Sequence, residues 1–163
     1  MIAVLLNKQD FEYDVHSLIR AFYPGVDVHI FYEETEITEA YEKKFVIMYE
    51  QDRIEITILD ENGQKIAQDQ VEVTYYADRK ETKNHLKQLL YRMISQMKQE
   101  TLPWGTLTGI RPTKIPMAML EQGKKNSEIA QYMRDTYYTS KEKTALSIAI
   151  ANKERHILQD LDY

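Results

Sequence analysis

"RIEITILDENGQKIAQDQVEV", Arg53 to Val73, decides how the chain is read. Ile54, Ile56 and Ile58 alternate with Arg53, Glu55 and Thr57, so one face is apolar and the other polar, the period of a half-exposed antiparallel strand. Asn62-Gly63 follows, and this dipeptide is a strong short hairpin signal because both residues tolerate positive φ. A second strand is expected to return through Val71, Val73 and Tyr75. From Lys80 the period changes. Leu86, Leu89, Leu90, Met93, Ile94 and Met97 form the stripe of a long helix that Thr101-Leu102-Pro103 ends.

Working outward, Ile2 to Leu6 reads as a short buried strand and Val15, Leu18, Ile19 and Phe22 as a helix stopped by Pro24-Gly25. Val26 to Tyr32 and Phe45 to Tyr49 complete the strands. Beyond residue 101 three helical segments are expected. They are Pro112 to Gln122, closed by Gly123; Ser127 to Tyr137, capped by Asn126 or Ser127; and Lys141 to Leu161, capped by Ser140. The expected fold is α+β: a small, mostly antiparallel sheet with two packed helices over residues 1–101, then a loop and helical extension over 102–163.

Bulk properties narrow the function. The 163 residues, 43% hydrophobic and 29% charged, are those of an ordinary globular chain. Met1 to Leu6 is too short and lacks the basic leader of a signal peptide, and no run of eighteen apolar residues occurs, so a cytoplasmic protein without membrane partners is expected. Residues 1–100 carry 12 Lys+Arg against 19 Asp+Glu, and 101–163 carry 9 against 7. That balance disfavours nucleic acid, which needs a clustered cationic face, but leaves room for a local anion site in the C-terminal part.

Conventional catalytic and metal motifs are missing. His16, His29, His85 and His156 stand in separate elements without a second ligand at helical or strand spacing, and the run Glu33, Glu34, Glu36, Glu39 lacks the pattern of a calcium loop. No catalytic residue and no metal ligand is assigned. The composition instead singles out Leu102 to Ile115, "LPWGTLTGIRPTKI", which holds the only Trp, two of five Gly and two of four Pro. Gly105 and Gly109 can bring backbone N–H groups near a ligand, and Thr106 and Thr108 offer hydroxyls. Arg111 and Lys114 beside a helix start at Pro112 would hold a carboxylate or phosphate. The alternative is structural: Trp104 as a core anchor, the glycines shaping a crossing between subdomains, and Arg111 paired with an internal acid.

"WGTLTGIRPTKI", with the helical run "MLEQGKKNSEIAQYMRDTYYTSKEKTALSIAIANKERHIL", resembles the segment before the catalytic barrel in oxygen-independent coproporphyrinogen III oxidase-like radical SAM proteins of the HemZ type. The resemblance is specific over about the last sixty residues and loose before them, where "YDVHSLIRAFYP" and the strand meander are similar. It implies a following barrel that binds a [4Fe–4S] cluster and S-adenosylmethionine and converts two propionates of coproporphyrinogen III to vinyl groups in haem synthesis. It also implies that residues 1–163 are the N-terminal part of that enzyme, without cofactor or catalysis of their own, since three Cys thiolates hold the cluster and this chain has none. Trp104, Gly105, Thr108, Gly109, Arg111 and Lys114 are then expected to form the joint with the barrel in preference to a contact with a porphyrinogen propionate. A free-standing module for a small anion or nucleotide is the alternative.

Overall fold

The continuous apolar run Ile2–Leu6 forms strand β1, which lies inside the sheet with neighbours on both sides. The structure, a computed structural model, describes all residues except 75, 76, 109, 110, 162 and 163. It divides into two compact units, residues 1–100 and 101–163.

In the first unit β1 is followed by α1 (Glu12–Phe22), β2 (Val28–Phe31), β3 (Lys43–Tyr49), β4 (Arg53–Asp60), β5 (Lys65–Glu72) and α2 (Arg79–Lys98). The five strands form one sheet in the order β2-β1-β3-β4-β5. The α+β fold expected from the sequence is found, but the sheet is mixed: β1 pairs in parallel with both β2 and β3, while β3-β4-β5 is an antiparallel meander. The reason is connectivity. Helix α1 carries the chain from the end of β1 back to the start of β2, which can only return it parallel.

Register aligns the core in rows. Val4, Phe45 and Ile58 lie side by side, then Leu6, Ile47 and Ile56, then Tyr49 and Ile54. All are at most 1% exposed. The buried stripes Val15, Leu18, Ile19, Phe22 of α1 and Leu86, Leu89, Leu90, Met93, Ile94 of α2 supply the covering layer. α1 packs on α2 and β2, α2 on β5, and the Phe22 and Tyr91 rings meet at 5.2 Å. Each such aliphatic side chain contributes about 1.5–3 kcal/mol by leaving water, which makes these rows the main source of stability.

The hairpin differs in detail from its signal. Only Gly63 takes a positive φ, +77°, and Asn62 does not. The turn is held by Asp60, whose Oδ1 accepts the N–H groups of Asn62 and Gln64 at 2.9 Å each. A bulge between Ile58 and Leu59 absorbs the longer loop. β5 ends at Glu72, although the Val73 N–H still donates to the Asp52 carbonyl at 2.9 Å; Tyr75 lies outside the described residues.

The second unit holds α3 (Lys114–Glu121), α4 (Asn126–Tyr137) and α5 (Lys141–Leu161) around Leu107, Leu120, Ile129, Met133, Tyr137, Ile148 and Ala151. Helix α3 starts two residues later than expected. Pro116 sets this limit, since a proline without N–H is tolerated in the first turn, where that donor has no helical partner anyway. Ser140 caps α5, its Oγ accepting the Lys143 N–H at 3.1 Å. Asn126 does not cap α4; it lies inside the first turn and its Oδ1 accepts from Asn152 Nδ2 at 3.1 Å, which leaves Lys125 as the flanking residue. Among the described residues no helix is long and apolar enough to cross a membrane.

Candidate functional site

The segment 102–114 is built by backbone bonds to the α4–α5 connection. The Pro103 carbonyl accepts the Ser140 N–H at 2.8 Å, and the Thr106 N–H donates to the Tyr137 carbonyl at 2.7 Å. Between them Gly105 passes so close that a Cβ there would lie 1.9 Å from the Tyr137 carbonyl oxygen and 2.5 Å from the Tyr138 carbonyl carbon. Its φ of +58° is also one that residues with a Cβ rarely adopt. Gly105 is therefore explained by two backbones in contact, and its N–H is taken by the Leu102 carbonyl at 2.9 Å.

Trp104 is half-buried against the helical core, with Lys143 Nζ 5.5 Å from its ring centroid. Thr108 is half-buried, and Gly109 lies outside the described residues. Arg111 and Lys114 are both exposed, Arg111 in the turn whose carbonyl accepts the Lys114 N–H at 3.1 Å and Lys114 as the first residue of α3. Among the described residues neither cation has an ion-pair partner, so the internal acid considered for Arg111 is not found there. The Oγ1 atoms of Thr108 and Thr113 are buried and have no hydrogen-bond partner among the described residues. The segment thus has an inner clip, Pro103 to Leu107, and an outer cationic tip.

Helix α5 presents the second feature. Its buried residues are Thr144, Ser147, Ile148 and Ala151. At 100° per residue, Leu146, Ile150, Ile157 and Leu161 fall within an arc of about 60° turned away from that face. They are 45%, 39%, 48% and 73% exposed, and Ala149 is exposed beside them. Leu158, 55% exposed, joins them for another reason: it continues the buried face beyond Ala151, the last buried residue of the helix.

The histidines serve local contacts. A ring nitrogen of His16 lies 3.0 Å from the Val28 carbonyl oxygen, His29 stacks on Phe31 at 6.5 Å, His85 faces Glu81 at 3.4 Å and His156 faces Asp160 at 3.6 Å. Among the described residues no group of His, Asp and Glu converges as a metal site. A cavity of about 830 Å³ in the first unit, beside the β1–α1 turn, gave no sequence signal because its walls come from α1, β2 and α2. Near it Lys87 is buried 3.9 Å from Asp14, and burial first, then Lys83, holds its ammonium below the usual lysine range against the pull of Asp14. Comparison with family models, curated proteins and solved structures finds no match to this chain.

Proposed function

We propose that this chain is the accessory N-terminal part of a radical SAM enzyme resembling oxygen-independent coproporphyrinogen III oxidase, with α5 seated against the catalytic barrel. The observation that carries the reading is the exposed row Leu146, Ile150, Ile157, Leu161, since exposed apolar side chains sharing one face of a helix mark a surface suited to cover by another surface. Arg111 and Lys114, exposed and unpaired among the described residues, supply charge for an acidic residue at the same joint. The chain's own donors do not fit the cluster, which thiolates hold, because it has no cysteine. No step of the oxidative decarboxylation is assigned to it.

The native reading frame beyond codon 163 is the first test: a cysteine triad with three and then two intervening residues is expected, and a stop codon in its place overturns the proposal. Leu146→Gln with Ile150→Gln and Ile157→Gln is expected to change the stability of the 1–163 chain, where these side chains are exposed, by no more than about 0.5 kcal/mol per site, and in the full-length protein to open the barrel junction to limited proteolysis. An unchanged cleavage pattern refutes the seat on α5.

A further inference from the structure

We propose that the cavity between the β1–α1 turn and the start of α2 binds a small phosphorylated ligand bearing a planar ring, of nucleoside monophosphate size. The inference stands on residues 1–100 and is independent of the role given to α5.

The first argument is charge. The first hundred residues are acidic, yet Arg79, Lys80, Lys83 and Lys87 gather in the first half of α2, and the first three line the cavity. Two carboxylates of the opposing segment face cations, Asp10 pairing with Arg79 at 3.0 Å and Asp14 lying 3.9 Å from Lys87, while Glu12 accepts the Tyr32 hydroxyl at 2.6 Å and keeps its charge. Lys80 and Lys83 have no counterion among the described residues, and Lys83 opposes the charge on Lys87. A dianion between the two free ammonium groups would relieve this, and lysine binds phosphate as a mobile point charge.

Place and rigidity are the second argument. The cavity borders the turn after the carboxyl end of β1, a strand with parallel neighbours on both sides, which is where open sheets with parallel strands receive ligands. That turn is pinned. Asn7 Nδ2 donates to the Tyr49 carbonyl at 3.1 Å and Asn7 Oδ1 accepts the Tyr49 N–H at 2.8 Å. Phe11, with φ of +61°, lies under the Arg79 guanidinium at 4.6 Å. A frame fixed before binding spends little of the binding free energy on ordering.

Size and shape are the third. About 830 Å³ suits a ligand of nucleotide dimensions. Tyr13, 66% exposed on the rim, offers a ring for stacking, and Ile30 adds apolar wall.

Calorimetry of the intact chain with adenosine monophosphate, inorganic phosphate and adenosine tests this. Saturable binding of the nucleotide is expected, tighter than either part by about tenfold or more, weakening as salt is raised. Lys80→Gln with Lys83→Gln, the first exposed and the second half-buried, checked for unchanged circular dichroism, should weaken it at least about tenfold, and Tyr13→Ala by about threefold to tenfold. No saturable heat with the nucleotide overturns the proposal, as does wild-type affinity in the double lysine variant. Binding lost in Arg111→Ala but kept in the lysine variant moves the site to the 102–114 loop and equally refutes it.

Discussion

Helices α2 and α5 are nearly equal in length, 20 and 21 residues, but they are used differently. α2 buries eight residues spread from Thr82 to Ile94 and leaves none of its large apolar side chains exposed. α5 buries four, the last at Ala151, and exposes Leu146, Ile150, Ile157, Leu158 and Leu161. The first unit has a five-stranded sheet broad enough to receive one complete helix stripe. The second has two shorter helices and a loop, which cover only one side of α5. The area of apolar surface in its own unit therefore decides whether an apolar stripe on a helix is buried within that unit.

The sharpest way to break this comparison is at the clip of the second unit. Gly105→Ala must displace the Tyr137–Tyr138 backbone and strain φ as well, so a loss of about 3 kcal/mol or more is expected. Hydrogen exchange should show it as lost protection in α3–α5 with protection retained in β1–β5. Equal loss in both units would show that they are not energetically separate.

Ser140→Ala sharpens the same contrast at lower amplitude. It removes the acceptor of the Lys143 N–H at the start of α5, and about 1 kcal/mol of destabilisation confined to the second unit is expected in denaturant titration.

The smallest effect belongs to the first unit and is read by pH. Burial, then the bond to Glu12, pushes the Tyr32 hydroxyl up to about 12, and burial with Glu42 and Glu100 does the same to Tyr23. A neutral hydroxyl favoured by the fold stabilises it fully below the ordinary value of 10.0, and that contribution is lost as pH rises towards about 12. Ultraviolet titration should show Tyr23 and Tyr32 among the late-ionising tyrosines, and Tyr32→Phe should remove one late ionisation and soften the alkaline decline in stability. An unchanged number of late ionisations in the variant would mean that the Glu12 bond is not made in solution.

Elements were legible where local physics acts alone. Ile54-Ile56-Ile58 with Asn62-Gly63 announced the β4–β5 hairpin, the α2 stripe announced its buried face, and Ser140 announced a cap. Asn126 misled as a cap because the Asn152 side chain, 26 positions away, claims its oxygen. In the loop, the concentration of Trp, Gly and Pro marked the right segment but not the reason: Gly105 is needed by the Tyr137–Tyr138 backbone, a partner fixed only by folding.

Period, turn chemistry and the lack of cysteine thus came from the sequence by itself, because each depends on neighbours within a few positions or on composition. Strand order, the parallel pairing of β1 with β2 and β3, the cavity walls and the exposed side of α5 were decided by tertiary structure. These depend on which distant surfaces meet, and the free energy of burial that selects among such meetings carries no local mark in the chain.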